Sequence, residues 1–190
     1  MDDKQALRRT LRKLRAEHAA ALPQTTRALL FRRPPGAVME LVPQGAPIGL
    51  YHAEADEAPA GAYARFLYEE GYPIALPWFA DRQSPMEFRA WSDPFGESDL
   101  ERGTFNLVQP MADAAPIVPK VLFMPLVGFT ERGERLGQGG GHYDRWLADH
   151  PGTIAIGLAW DCQLVDSLPT EAHDVPLSAV ITPTRLYGPF

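Results

Sequence analysis

The chain has 190 residues and a formal net charge of −6, and 45% of its residues are hydrophobic and 22% charged, which excludes an intrinsically disordered protein and allows one domain or two small ones. The longest nearly apolar run, residues 121–129, is too short to span a bilayer, so we expect no membrane segment. The single cysteine, Cys162, excludes a disulfide framework, and because the N-terminus has no apolar signal-peptide core, the sequence predicts a cytoplasmic protein.

The first predicted element is a basic helix over residues 2–22. Leu7, Leu11 and Leu14 recur at helical spacing and form an apolar stripe, and Pro23 ends the segment. Residues 1–33 contain nine of the 18 Lys and Arg side chains but only three acids, so this part carries a charge of +6 and the remainder −12. A basic arm on an acidic body indicates an anionic partner without identifying it.

Short apolar runs bounded by Pro, Gly and Asp predict the strands of a parallel sheet. After a broken helical stretch over 24–42, we expect strands at 47–51, 73–76, 86–91, 118–125, 153–158 and 178–181. A helix over 59–70, with Gly71 as its C-terminal cap, separates the first two strands and makes a βαβ unit. A further helix begins near Gly140 and ends before Pro151. Because no repeat or long linker interrupts the chain, the sequence predicts one α/β domain over residues 1–190.

The segment 124–147 carries the strongest chemical signal. An apolar strand leads into a loop with four glycines in five positions, Gly137 and Gly139 to Gly141, and a helix follows. Glycines let a ligand approach backbone N–H groups, and a helix N-terminus binds phosphate. Arg135 and Arg145 flank the loop as phosphate partners. The loop matches neither a Walker A motif nor the dinucleotide fingerprint, and an ordinary Gly-rich turn is the alternative interpretation.

Asp144 lies in the first turn of the helix after this loop, and its residue type fits two roles. The helix dipole favours an acid at this position. A Mg²⁺ ion that bridges nucleotide phosphates also takes one or two carboxylates together with water. The residues alone leave both roles open.

The motif from Pro125 to Arg145 resembles the signature of the 5-formyltetrahydrofolate cyclo-ligase family, also called 5,10-methenyltetrahydrofolate synthetases. The resemblance covers nearly the whole chain and includes Lys4–Arg8, Ile48–Glu57, Gly71–Pro77, Met86–Phe88, Ala155–Ala159, Pro169 and His173–Asp174. It implies a single α/β domain with a mostly parallel central sheet and helices on both faces. It also implies that the basic helix over 1–22 contributes to the nucleotide site, and that the enzyme is a monomer or a weak homodimer.

The resemblance implies an ATP-dependent reaction with Mg²⁺ as cofactor, in which 5-formyltetrahydrofolate is cyclised to 5,10-methenyltetrahydrofolate with release of ADP and phosphate. In the mechanism that the resemblance implies, the formyl oxygen attacks the γ-phosphate and releases ADP, N10 then attacks the formyl carbon, and phosphate leaves. This chemistry needs positioning and neutralised phosphate charge rather than a protein nucleophile. The alternatives are a sugar-phosphate isomerase-like enzyme and a nucleic-acid-binding module. Because aromatic residues do not interleave with the basic run, we expect no nucleic acid and no membrane among the partners.

Matched residue by residue, the resemblance implies three groups of site residues. The ATP-binding residues are Lys4, Gln5, Ala6, Leu7, Arg8, Arg135, Leu136, Gly137, Gln138, Gly139, Gly140, Gly141, His142 and Tyr143. The substrate-binding residues are Arg8, His52, Glu57, Gln138, Gly139, Gly140, Gly141 and His142. The metal ligand is Asp144, with Asp174 as a candidate second ligand.

Several of these residues also fit a structural role. Lys4 and Arg8 are one helical turn apart and can point at one anion, whereas a solvated helix face is the usual fate of such residues. A solvated face is also the interpretation that fits Arg9, Arg12 and Lys13. A structural histidine, a helix N-terminal acid and an aromatic core anchor are the corresponding alternatives for His52, Glu57 and Tyr143.

Two positions depart from the family's pattern. Trp78 stands where the family usually has Arg, so one charged contact is either missing or supplied by Arg82. Ser178 stands where the family tends to have an acid of the metal site, which leaves Asp174 or water to complete the Mg²⁺ shell.

Overall fold

The computed structural model describes residues 2–171 and 174–190. In these ranges the chain forms five α-helices: α1 (Asp2–Ala21), α2 (Gln24–Arg27), α3 (Gly36–Met39), α4 (Gly61–Glu69) and α5 (His142–Asp149). It forms eleven strands: β1 (Ile48–Gly49), β2 (Ile74–Trp78), β3 (Glu87–Ala90), β4 (Leu100–Arg102), β5 (Val108–Pro110), β6 (Val121–Pro125), β7 (Gly128–Phe129), β8 (Arg135–Leu136), β9 (Ile154–Leu158), β10 (Ala179–Ile181) and β11 (Leu186–Tyr187). Short 3₁₀ turns occupy Thr104–Asn106 and Asp161–Gln163. Among the described residues, no helix has the length and apolar character needed to cross a membrane.

Seven strands form the central sheet in the order β11-β10-β9-β6-β1-β2-β3. The five inner strands run parallel, and the edge strands β3 and β11 are antiparallel to their neighbours. The chain places β2 on one side of β1 and later places β6, β9 and β10 on the other, so the winding reverses beside β1. In open α/β sheets a ligand crevice forms at such a reversal, outside the carboxyl ends of the strands.

Helices cover both faces of the sheet, because the inner strands are apolar on both sides. Along β6, Phe123 packs in the layer that contains Tyr63 and Leu67 of α4. Its neighbours Leu122 and Met124 pack in the opposite layer. That second layer contains Trp146 and Leu147 of α5. Continuous apolar runs are typical of parallel strands buried on both faces. The predicted α/β fold with a mostly parallel sheet is therefore confirmed.

The predicted elements agree with the structure where periodicity or a continuous apolar run marked them. All six predicted strands and the helices at 59–70 and after Gly140 are present, and Gly71 follows α4 with a φ of 84°. Residues 24–42 form only the two one-turn helices α2 and α3. The pairs β4–β5 and β7–β8 were not predicted, because β4, β5 and β8 contain charged or polar residues in place of an apolar run.

The prediction for the buried face of α1 is wrong at Leu14. Leu11 is buried, but the Leu14 side chain is 43% exposed and Arg15 lies in the interior instead, with 5% exposed. Positions 4, 8, 11, 15 and 19 repeat at close to 3.6 residues and define the inner face of α1. The apolar residues at 7, 11 and 14 misled the prediction because three of the five inner positions are Lys or Arg.

Candidate active site

A cavity of about 460 Å³ opens at the carboxyl ends of β1, β2 and β6. Tyr51 and His52 follow β1, Phe79 follows β2, and Pro125 ends β6, and all four line the cavity. The cavity therefore lies where the winding of the sheet reverses, which is the position expected for a ligand site in this class of fold. Its volume is that of a small-molecule site.

The glycine loop forms one wall of the cavity. Residues 137–141 connect β8 to α5, and all five line the cavity. Gly139 has a φ of 106° and Gly141 a φ of 65°, which a residue with a side chain adopts only with strain. A Cβ at Gly141 would lie 2.9 Å from Nη1 of Arg145. The loop therefore requires glycine here, and it brings the unpaired N–H groups at the start of α5 to the cavity.

The inner face of α1 supplies cations to the same wall. Arg8 Nε donates to the carbonyl of Gly137 at 2.9 Å. Lys4 Nζ donates to Glu171 Oε2 at 2.8 Å and to Asp174 Oδ2 at 3.0 Å. Burial works to lower the pKa of Lys4, but the hydrogen bonds to these two carboxylates outweigh it and raise the pKa, so Lys4 is a cation. The helix thus ties the glycine loop to the segment that holds Asp174.

Arg135 and Asp144 form an ion pair at the base of the glycine loop, through Nη2 and Oδ1. The Arg135 side chain is 4% exposed and that of Asp144 19%. Burial lowers the pKa of Arg135, and the charges of Asp144 and Asp174 act against that shift. Arg135 also lines the cavity, and its Nε is buried with no hydrogen-bond partner among the described residues.

Glu57 lines the same cavity and is buried. Its Oε2 accepts the backbone N–H of Glu54 at 3.0 Å, and its Oε1 lies 3.4 Å from Nε2 of Gln138 and 3.6 Å from Nη1 of Arg15. Burial raises the pKa of Glu57, while the N–H of Glu54 and the charge of Arg15 act to lower it. A carboxylate in this position is an acceptor for N–H groups of a ligand.

The rest of the wall is aromatic and apolar. The His142 ring lies 4.9 Å from the Phe79 ring and 5.5 Å from the Phe105 ring, measured between centroids. Burial lowers the pKa of His142, and the charge of Arg145 adds to the effect, so the ring is neutral near pH 7. Burial also raises the pKa of Tyr143, which keeps its phenol protonated. This side of the cavity suits a flat ring system.

The structure brings most of the predicted site residues to this one cavity. The described residues that line it include Lys4, Arg8, His52, Glu57, Arg135, Leu136, Gly137, Gln138, Gly139, Gly140, Gly141, His142, Tyr143, Asp144 and Asp174.

Some predicted residues lie elsewhere. Gln5 and Ala6 are exposed on α1, and Leu7 packs beside Leu11 in a small apolar cluster. Their assignment to the nucleotide stays a prediction. His173, part of the motif that carried the resemblance, lies outside the described residues.

The two departures from the family's pattern also lie away from the cavity wall. The guanidinium of Arg89 stacks on Trp78 at 3.6 Å from its ring centroid, so Trp78 packs against the neighbouring strand. Arg82 lies 5.6 Å from the ring of Phe105, at the edge of the aromatic side. The backbone N–H of Ser178 donates to Ala155 at 2.7 Å, which holds Ser178 to the sheet.

Sequence reasoning missed two arginines of α1. Arg12, predicted to be solvated, donates to Gln138 Oε1 at 2.9 Å and to the Gln138 carbonyl at 2.7 Å. Arg15 was not singled out, yet it is buried and contacts Glu57. The available signal was their spacing from Lys4 and Arg8, which places all four on one side of the helix.

Comparisons with known proteins agree with the resemblance. Residues 1–183 match the model of the 5-formyltetrahydrofolate cyclo-ligase family. The chain is 43% identical over 97 residues to 5-formyltetrahydrofolate cyclo-ligase of Escherichia coli K12, which covers 48% of this chain and 53% of that protein. It is 38% identical over 91 residues to the enzyme of the same name from Haemophilus influenzae, which covers 45% and 49%. The chain therefore spans about half the length of these curated relatives.

Two solved structures share the fold. The 5,10-methenyltetrahydrofolate synthetase of Aquifex aeolicus is similar with a TM-score of 0.73 and 21% identity, over 98% of this chain and 92% of that one. The synthetase of Mycoplasma pneumoniae is similar with a TM-score of 0.68 and 22% identity, over 94% and 98%.

Proposed function

The chain belongs to the 5-formyltetrahydrofolate cyclo-ligase family, and we propose that it uses ATP to cyclise 5-formyltetrahydrofolate to 5,10-methenyltetrahydrofolate, with release of ADP and phosphate. One observation carries the proposal. A single cavity is lined by a glycine loop at a helix N-terminus, by three cations, by a buried carboxylate and by aromatic side chains. The loop and the cations, the phosphate side, suit a triphosphate, and the carboxylate with the rings, the folate side, suits a flat ring with N–H donors.

The phosphate side provides what phosphoryl transfer requires, which is fixed geometry and neutralised charge. Lys4, Arg8 and Arg135 line the cavity together with residues 137–143, which form the glycine loop and the start of α5. Arg135 is the strongest of the three candidates because it lines the cavity with a side chain that is only 4% exposed and is fixed by its pair with Asp144. In the proposal these residues bind the ATP phosphates, and Gln5, Ala6 and Leu7 lie alongside on α1.

The proposal includes Mg²⁺ as cofactor, held by Asp144 and Asp174. In the described ranges no three His, Cys, Asp or Glu side chains converge as a complete metal site. Mg²⁺ needs no such cluster, since it usually takes one or two carboxylates together with water and substrate phosphates. Both carboxylates line the cavity and both act on Arg135, so the donor set fits the ion. When bound, Mg²⁺ supplies neutralisation of phosphate charge.

The folate side orients the second substrate. In the proposal Glu57 accepts N–H groups of the pterin, and the rings of Phe79 and His142 pack against a flat part of the substrate. His52 lies 3.3 Å from Glu97 and borders this side. The formyl oxygen attacks the γ-phosphorus and ADP leaves, N10 attacks the formyl carbon, and departure of phosphate with loss of the N10 proton completes the methenyl bridge.

We also propose a cytoplasmic enzyme that acts as a monomer or weak homodimer. The match to the family gives no support to a sugar-phosphate isomerase-like activity. A nucleic-acid-binding role for α1 gains none either, because Lys4, Arg8, Arg12 and Arg15 contact residues of their own chain.

The test of the proposed function is absorbance-monitored formation of the methenyl product from 5-formyltetrahydrofolate, ATP and Mg²⁺. We expect turnover that requires all three components. A folded preparation that forms no product would overturn the proposal, as would product formation that continues without ATP.

A further inference from the structure

We propose that Arg15 is a positioning residue that holds the Glu57 carboxylate ionised and aimed into the cavity, and so sets the affinity of the folate side. This inference rests on the proposed function above, because it assigns Glu57 to folate. Arg15 is not among the described residues that line the cavity, so it acts through Glu57 rather than on a substrate.

The geometry around Arg15 is that of a fixed support. Its side chain is 6% exposed, and its Nη1 lies 3.6 Å from Glu57 Oε1. Its Nε donates to Asp56 Oδ2 at 3.0 Å, and Nη1 also donates to the carbonyl of Leu126 at 3.2 Å. These contacts join α1 to the loop after β1 and to the loop after β6, so the guanidinium cannot shift without breaking several of them.

Arg12, a second arginine of α1, holds Gln138, which also contacts Glu57. Arg12 bonds both the side-chain and backbone oxygens of Gln138, and Gln138 Nε2 faces Glu57 Oε1 at 3.4 Å. Arg12 and Arg15 are three residues apart and lie on the same side of the helix. One turn of α1 therefore orients Glu57 directly and also through the glycine loop.

The charges that face Glu57 give the expected pH dependence. Burial raises the pKa of Glu57, the N–H of Glu54 and the positive charge of Arg15 lower it, and the nearby carboxylates of Asp56 and Glu54 raise it. The remaining groups that face Glu57 are neutral: Gln138 in the glycine loop, and the phenols of Tyr51 and Tyr143, whose pKa values burial raises. Removing the charge at position 15 therefore raises the pKa of Glu57, and the acid limb of kcat/KM for the folate moves to higher pH.

The experiment compares wild type with Arg15→Gln, using Arg9→Gln on the exposed face of α1 as the matched control. We expect the Arg15 variant to raise KM for 5-formyltetrahydrofolate roughly tenfold and KM for ATP less than about twofold, and to shift the acid limb upward. Arg9→Gln should leave both KM values and the limb unchanged. An Arg15 variant whose folate KM and acid limb equal those of wild type would overturn the inference.

A double-mutant cycle with Glu57→Gln separates positioning from a general structural effect. If Arg15 acts through Glu57, Arg15→Gln adds little to the loss of folate affinity already caused by Glu57→Gln, as measured by calorimetric titration with 5-formyltetrahydrofolate and no ATP. Additive losses would overturn the inference. If Arg15→Gln does not fold, Arg15→Lys is used in the same cycle with the same criterion. A wild-type protein that neither binds nor converts 5-formyltetrahydrofolate contradicts the proposed function itself, an outcome distinct from an active wild type with additive losses.

Discussion

Two arginine–carboxylate pairs lie at the cavity, and they differ in the contacts that the arginine makes. At the folate side, Arg15 Nε and Nη1 are engaged by Asp56 and by the carbonyl of Leu126, and Glu57 is 8% exposed. At the phosphate side, Arg135 Nε is buried without a partner in the described ranges, and Asp144 is 19% exposed.

The difference indicates two uses of one ion pair. A guanidinium that is held on several sides and does not line the cavity, as at Arg15, fixes its carboxylate, whereas one that lines the cavity, as at Arg135, is suited to bind an anion that arrives with the substrate. The pair Arg15–Glu57 should therefore affect the affinity for the folate, and the pair Arg135–Asp144 should affect the transfer of the phosphoryl group.

The largest effect is expected from Arg135→Ala. If Arg135 binds the transferring phosphoryl group, its loss should lower kcat/KM for ATP by about 1000-fold, the scale known for arginines that stabilise phosphoryl transfer. Steady-state kinetics with varied ATP give the measurement. Arg132→Ala, on an exposed side chain paired with Glu134, is the control and should behave as wild type. Loss of folate affinity alone in Arg135→Ala would contradict the division between the two pairs.

The next largest effect is expected from Asp144→Asn. Because a neutral amide is a weaker ligand for a hard cation, we expect turnover to fall roughly 100-fold at limiting Mg²⁺, with part of the loss recovered as Mg²⁺ is raised. A titration of rate against Mg²⁺ concentration measures this. Asp149→Asn, at the exposed end of α5, provides the matched control. An unchanged Mg²⁺ requirement in Asp144→Asn would assign Asp144 only to its pair with Arg135.

A smaller effect is expected from Gly141→Ala, which changes the loop beside the second pair. The positive φ strains any side chain here and the new Cβ would crowd Arg145, so we expect kcat/KM for ATP to fall roughly tenfold. Gly152→Ala is the control because Gly152 also has a positive φ, 86°, but no atom within 4 Å of the added Cβ. It should lower stability by about 1 kcal/mol and spare activity. Equal kinetic losses in both variants would mean that strain alone is responsible.

The same contrast explains which parts of the molecule could be predicted from sequence. Strands such as β6 carry their own signal because a run of apolar residues must be buried on both faces, and the glycine loop has a motif whose chemistry is local. The inner face of α1 could not be predicted from local sequence. Its cations at positions 4 and 8, which are half-buried, and at position 15, which is buried, look like solvated charges until their partners from residues 56, 137 and 174 are brought beside them.

Contacts between distant segments also decide the roles of Arg12 and Leu14. Arg12 is held by Gln138, 126 residues away, while Leu14 points outward because Arg15 occupies the interior. Hydrophobic periodicity assigns the apolar residue to the core by default. It fails where an ion pair with a remote partner replaces an apolar contact, which is the situation at a binding site.

The smallest effect is expected in the pH dependence of stability at Glu57. Burial raises the pKa of this carboxyl above its value in the unfolded chain, so the folded state binds the proton more tightly. The stabilisation is full below the unfolded pKa and is lost as the pH rises through the folded pKa. Glu57→Gln abolishes this loss, and Arg15 keeps Asp56 as a partner at 3.0 Å. Its free energy of unfolding should therefore increase relative to wild type between about pH 4 and pH 7, as measured by urea denaturation.

Glu69→Gln, on the exposed side of α4, serves as the control for this measurement. Asp144→Asn should behave differently from Glu57→Gln, because it removes the only carboxylate that accepts a hydrogen bond from Arg135 within the described residues and so destabilises the fold at neutral pH. A Glu57→Gln difference that stays constant across this pH range would show that burial does not dominate at Glu57. The two pairs would then differ in geometry alone, and the ionisation of Glu57 would not need the support of Arg15.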